Sequence, residues 1–277
     1  MNQQLPVHLP DGYMAFYQEL ENWQNLQQIK LKKTISMEKH DMVSLLSTHH
    51  KPLLNLVNFT VDMESYKEIY NGLLVFLKEH RQDIGSTVDT IDSLKEHFDF
   101  DCLISKLLDE DQAYLTQFSK QYNLPAELFI FTIDHSLRPY LRLFAEPYHE
   151  ALIDTSLEVW DSPAYCPICG SKSHFSRLRK EDGRRFLFCD RCFSEWETRY
   201  LSCVHCGNGD PGTIKYFCVE DDGAYRIYIC EQCKGYLKTY DERQEGKQTD
   251  LFLANMETIY LDLLAQEKGY ISHDYTE

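Results

Sequence analysis

The sequence predicts an α+β chain. An N-terminal all-α helical domain spans residues 1–159, tandem four-cysteine metal-binding modules span 160–245 (160–199 and 200–245), and a C-terminal amphipathic helix and tail span 246–277. Three observations predict it: helical spacing of apolar residues before Trp160, four C-x-x-C pairs between Cys166 and Cys233, and helical spacing again after Glu245. At 277 residues the chain can bury a proper core in one or two domains.

The first helix is marked by Tyr13, Phe16, Tyr17, Leu20, Trp23 and Leu26, which recur at three- and four-residue steps. Tyr66, Ile69, Tyr70, Leu73, Leu74 and Leu77 mark another, with Asp62 placed to cap it. A shorter segment around Met42 to Leu46 precedes Pro52, which should interrupt or restart a helix. Leu103, Ile104, Leu107 and Leu108 form a further stripe, followed by a helical run from Asp111 to Gln121. Pro125 suits a first helical turn, where its missing N–H is not needed, and Pro139 can kink or divide the helix that follows. No alternating pattern competes here, so the segment reads as six to eight helices.

The cysteine region has the opposite texture. Each half reads C-x-x-C-Gly, strand, Asp-Gly turn, strand, C-x-x-C, with the turns at Asp182-Gly183 and Asp222-Gly223. A two-residue spacing lets one tight turn present two thiolates to the same side, and Gly170 and Gly207 allow the left-handed backbone such a turn uses. A hairpin then brings the second pair to face the first. This assigns Cys166, Cys169, Cys189 and Cys192 to one site and Cys203, Cys206, Cys230 and Cys233 to the other. Interleaved pairing, first pair with third, is the alternative. Four thiolates suit iron, as in rubredoxin-like centres, or zinc, as in zinc ribbons, and the sequence does not separate the two. Each half is too small for much core, so metal should supply most of its folding.

Within the same region, Trp196 and Arg199 form a candidate partner-binding pair. The structural alternative has the indole covering the first site and the guanidinium pairing with a carboxylate. Arg177, Arg179, Lys180, Arg184 and Arg185 cluster around the first hairpin bend and read as a solvated tip. Cys218 is expected to face a core from a strand, and Cys102 to be a buried thiol in a helix. His49 and His50 read as a solvated helix end, and His205 is redundant beside four sulfurs. After Glu245, Phe252, Met256, Ile259, Tyr260, Leu263 and Leu264 form one stripe, capped by Thr249 or Asp250. Its apolar side should dock on the helical part or the ribbons.

Composition narrows the function. The formal charge is -16, from 28 Lys+Arg against 44 Asp+Glu, which argues against a mainly electrostatic nucleic-acid binder. No apolar run approaches the roughly 20 residues of a membrane helix, and the N-terminus lacks the pattern of a signal peptide. A cytoplasmic protein without membrane contact is expected, and in that compartment ten cysteines call for metal, not disulfides. Phosphate-binding, nucleotide-binding, serine-hydrolase and zinc-protease motifs are all missing, so no catalytic residue is assigned.

Together, Cys166-Pro-Ile-Cys-Gly170, Leu187-Phe-Cys-Asp-Arg-Cys192 with Trp196 and Arg199, and Cys203-Val-His-Cys206 resemble the FdhE family, the formate dehydrogenase accessory proteins. So do Cys230-Glu-Gln-Cys233 with Tyr236-Leu-Lys238, and Leu261-Asp-Leu-Leu-Ala-Gln-Glu-Lys-Gly-Tyr270. The resemblance is dense over residues 160–270 and loose over the helical part. It implies a non-enzymatic cytoplasmic maturation factor with two rubredoxin-type modules on a helical domain. It also implies binding to the catalytic subunit of formate dehydrogenase, and iron and redox sensitivity at the cysteines. The alternative is a zinc-ribbon module contacting nucleic acid or transcription machinery. A third reading, direct redox catalysis at the thiolates, requires a reversible metal-centred potential. The sequence permits a homodimer without requiring one.

Overall fold

The computed structural model describes residues 9–155, 159–218, 223–245 and 249–273. Two compact units interleave along the chain: Met1–Glu19, Glu38–Asn58 and Ala145–Glu277 form the first, and Leu20–Met37 and Phe59–Phe144 the second.

The second unit is helical. It holds most of α1 (Tyr13–Thr34), then α3 (Met63–His80), α4 (Gly85–Leu94), α5 (Phe100–Leu108), α6 (Gln112–Gln121) and nearly all of α7 (Ala126–Ala145). Asp62 caps α3 by accepting from the Ser65 N–H, and Asp99 and Asp111 do the same for α5 and α6. The stripe Tyr66, Ile69, Tyr70, Leu73, Leu74 and Leu77 is buried throughout. Tyr66 donates its hydroxyl to the Ile133 carbonyl, so its ring fills core while its polar end stays satisfied. Pro139 lies inside α7 without dividing it. Cys102 in α5 is half-buried, with Sγ 3.4 Å from the Tyr114 hydroxyl.

The first unit carries α2 (Met42–His49), α8 (His149–Ile153) and all the strands. These are β1 (Phe175–Leu178), β2 (Arg185–Phe188), β3 (Glu195–Thr198), β4 (Ile214–Phe217), β5 (Tyr225–Cys230) and β6 (Tyr236–Asp241). They form one sheet in the order β3-β2-β1-β6-β5-β4. The expected hairpins are present as antiparallel β1/β2 and β4/β5 pairs. Gly183 takes a φ of 70° in the first bend; Asp222 of the second lies outside the described residues. Two features go beyond the hairpin pattern. Each module adds a third strand after its second knuckle, and the parallel β1/β6 pair joins the two modules edge to edge.

The C-terminal segment follows α9 (Glu242–Glu245) as two helices, α10 (Leu251–Glu257) and α11 (Ile259–Glu267), capped at the start by Asp250. The single expected helix breaks at Thr258, whose buried hydroxyl donates to the Ala254 carbonyl. Both helices dock on the sheet. Phe252 packs with Phe175, Phe188 and Tyr240, while Tyr260 and Leu261 pack with Ile227, Ile229 and Tyr236. Lys238 of β6 pins them: it is buried, pairs with Asp262 at 2.7 Å and donates to the Asn255 carbonyl at 2.8 Å. No helix among the described residues is long and apolar enough to cross a membrane.

Candidate metal centres

Four knuckles share one construction. In each, the first cysteine N–H donates to the carbonyl five residues on: Cys166 to Ser171, Cys189 to Ser194, Cys203 to Asn208 and Cys230 to Gly235. The residue after the second cysteine takes a left-handed backbone, with φ of 82° at Gly170, 63° at Phe193, 71° at Gly207 and 58° at Lys234. Glycine adopts this freely; Phe193 and Lys234 do so at a cost of about 1–2 kcal/mol each. The knuckle therefore sets the backbone, and glycine only eases it.

These turns gather the sulfurs into two groups, Cys166, Cys169, Cys189 and Cys192, and Cys203, Cys206, Cys230 and Cys233. Within each group all Sγ atoms lie within 4.8 Å of one another. The closest pairs are Cys166–Cys192 and Cys169–Cys189 at 3.5 Å, Cys203–Cys233 at 3.6 Å and Cys206–Cys230 at 3.8 Å. A tetrahedron with metal–sulfur bonds of about 2.3 Å has edges of about 3.8 Å, whereas a disulfide needs about 2.05 Å. All eight thiols are free.

Electrostatics point the same way. Four buried thiols cannot all ionise side by side. Burial pushes Cys166 and Cys189 well up, while hydrogen bonds from Cys166, Cys189 and Cys192 pull Cys169 well down. In the second group burial pushes Cys203 up to about 11. A divalent cation removes the conflict by taking all four as thiolates, so both donor sets fit a four-coordinate metal ion.

The two groups differ in access. The first is sealed, with all four cysteines buried; in the second Cys206 is exposed and Cys233 half-buried. Leu53 and Leu54 close the first, their N–H groups donating to the carbonyls of Pro167 and Ile168. The C-terminal segment closes part of the second. Ile271 bridges to Gly235, and His273 Nε2 lies 3.1 Å from the Cys233 carbonyl. His205 also belongs to this wall, with Nε2 3.0 Å from the Tyr236 carbonyl and its ring 5.0 Å from that of His273. Burial holds His205 down to about 4, so its imidazole is neutral.

Other sequence expectations need correction. Trp196 is only 3% exposed and donates Nε1 to the Pro163 carbonyl, so it is not presented to a partner. Arg199 is exposed and makes no carboxylate pair among the described residues. It lines a groove of about 600 Å³ with Trp160, Tyr165, Val204 and His205. Cys218 lies just past β4 and is exposed, because the strand ends at Phe217. The basic cluster is not a free tip: Arg177 pairs with Glu195 and Glu242, Arg179 and Arg184 pair with Asp182, and Arg185 is buried. His50 caps α2 in an exposed position, as expected.

Comparison with known proteins matches this architecture. Residues 165–198 match the family description "FdhE, central domain" and 201–276 match "FdhE, C-terminal domain". An FdhE homolog of Aquifex aeolicus is 28% identical over 242 residues, covering 86% of this chain and 77% of that protein. One of Pseudomonas aeruginosa is 30% identical over 120 residues, covering 40% of this chain and 38% of that protein. The crystal structure of the FdhE protein from Pseudomonas aeruginosa aligns with a TM-score of 0.60 at 20% identity, over 91% of this chain and 84% of that one, a likeness of fold. Both cysteine groups lie inside the matched segments, so over residues 165–276 the chain is similar to the FdhE family.

Proposed function

We propose that this chain is an accessory and maturation protein for formate dehydrogenase, and that it holds the immature catalytic subunit without catalysing a reaction. The observation that carries the reading is the pair of four-cysteine groups on one sheet, inside segments matching FdhE domains. Cys166, Cys169, Cys189 and Cys192 hold one ion, and Cys203, Cys206, Cys230 and Cys233 the other, each iron or zinc. Residues 160–199 and 200–245 are the two halves of this rubredoxin-like platform, flanked by 1–159 and 246–277. The ions fix the knuckles, and the protein works in the cytoplasm. Arg199, exposed beside the groove, touches the partner, while the buried Trp196 supports the strand that leads to it. The nucleic-acid reading is disfavoured by the carboxylates that neutralise Arg177, Arg179 and Arg184.

Affinity capture of the chain from its own host tests this. A large molybdenum- or tungsten-dependent catalytic subunit should co-purify, and deletion of the gene should abolish formate dehydrogenase activity. Intact activity in the deletion strain, with no such subunit captured, overturns the proposal. Elemental analysis and an absorption spectrum of fresh protein separate coloured iron from colourless zinc.

A further inference from the structure

Arg185 is the least expected residue in the first module. Its side chain is fully buried, yet Nε and Nη2 have no hydrogen-bond partner and no carboxylate pairs with it among the described residues. It stacks over the Tyr228 ring at 4.2 Å and lies 5.3 Å from the Tyr200 ring. A guanidinium stays protonated in proteins, and a buried charge without a counter-charge is strongly unfavourable.

The missing counter-charge lies across a small cavity. Arg185 and Tyr228 line it together with Cys203 and Cys230 of the second group, and its volume of about 20 Å³ is that of one water-sized body. The Tyr228 hydroxyl is paired with that of Tyr200 at 2.9 Å. The other tyrosine on that wall, Tyr236, hydrogen-bonds Asp262 at 3.1 Å. That leaves the sulfurs as the anionic wall. A divalent ion on four thiolates retains two negative charges, which matches an unpaired cation. We propose that Arg185, from the first module, is the counter-charge of the second thiolate site and raises that site's affinity for its metal ion.

The repeat supports this assignment. In the first site Arg191 sits inside its own knuckle, between Cys189 and Cys192, and donates to the Ser171 hydroxyl at 2.7 Å. The corresponding position of the second half, between Cys230 and Cys233, is Gln232, which carries no charge. The one cation of that knuckle, Lys234, is paired with Glu231 at 2.5 Å, which leaves Arg185 as the cation on the cavity wall without a carboxylate partner among the described residues.

The inference rests on both groups holding metal, and the test separates the two claims. The full chain is loaded with cadmium-113, whose two sites give separate NMR resonances, assigned by loss of one in Cys206→Ser. EDTA is then titrated in. In Arg185→Met the second-site resonance should vanish at about tenfold lower chelator, as loss of such outer partners typically costs 10- to 100-fold. The first-site resonance should not move, and Arg185→Lys, which keeps the charge, should restore most of the affinity. Should Arg185→Met fail to fold, Arg185→Gln decides by the same comparison. Unchanged second-site affinity, equal weakening at both sites, or a lysine variant as weak as the neutral ones overturns the inference alone. Wild-type protein without two resonances overturns the metal reading and this inference with it.

Discussion

Gly235→Ala should damage the second site selectively. Gly235 links the last knuckle to β6, and its backbone φ is not left-handed, so the constraint is one of space. A Cβ there would stand 2.6 Å from His205 Cδ2, 2.9 Å from His273 Cδ2 and 3.1 Å from Cys233 Sγ. Unstrained carbon contacts are about 3.5–4.0 Å. Neither ring can swing away freely, because His205 Nε2 is held by the Tyr236 carbonyl and His273 Nε2 by the Cys233 carbonyl. Overpacking costs about 1–3 kcal/mol, and each ring hydrogen bond about 0.5–1.5 kcal/mol. A loss of about 2 kcal/mol falling on Cys233 corresponds to roughly thirtyfold in metal affinity. Chelator competition on the cadmium-loaded chain reads the second site, and thermal unfolding reads the whole. Gly209→Ala is the control, since a Cβ there meets nothing within 4 Å. If Gly235→Ala retains both ions as tightly as Gly209→Ala, the rings have room and the steric argument fails.

Further outcomes follow from burial and charge. Cys166→Ser should release one ion of two and loosen its knuckle while the far-UV helical signal persists; equal loss of helix and metal would contradict this, and metal analysis with circular dichroism reads both. After chelation, a maleimide should label exposed Cys206 and Cys218 before Cys166, Cys169, Cys189 and Cys192, read by peptide mass spectrometry. Labelling of the buried four at the same rate would mean that the first site opens without metal. Asp241 has no exposed side-chain surface; burial alone would raise its pKa, but the hydrogen bond from Arg243 and the charge of Arg226 hold it below the usual carboxylate range. Its stabilising effect is therefore full above about pH 4 and lost as pH falls through the lowered folded value. Asp241→Asn should cost about 1–3 kcal/mol in urea unfolding at pH 7 and much less at pH 2. An equal loss at both pH values would remove the electrostatic account.

What the sequence makes legible is what local chemistry dictates. The grouping of eight sulfurs follows from two-residue spacing and a short hairpin, and the α3 cap from Asp62 three residues ahead of the Ser65 N–H. What stays hidden depends on partners distant in sequence. β3 offers only Glu195-Trp-Glu-Thr198, too short a run for alternation to stand out, and the β1/β6 pair leaves no mark in either strand. Arg185 is hidden for a related reason. Five basic residues around a bend suggest solvent, but neighbours in a strand face opposite ways. Arg184 therefore meets Asp182 and Glu197 while Arg185 turns inward, opposite Thr198 of β3. Cys218 is hidden because nothing local tells where β4 stops.

The shared sheet changes what the metals have to do. Two separate hairpins of four- and six-residue strands would be marginal in water, and their ions would have to supply nearly all the folding energy. Joined through β1 and β6, the strands have an apolar face that α10 and α11 cover, so much of the stability comes from ordinary burial. Bound ions would then act chiefly at the knuckles, adding to what already holds the left-handed turns: Phe193 packs on Phe188 and Phe252, and the Lys234 carbonyl accepts from the Ile271 N–H. The same joint places a strand of the first module against the cavity of the second site, with Arg185 in its lining. A double module built this way is one mechanical body with two chemically unequal ends: a sealed site closed by Leu53 and Leu54, and a second site with Cys206 open to solvent. A chelator or thiol reagent should therefore reach Cys206 before any sulfur of the sealed site.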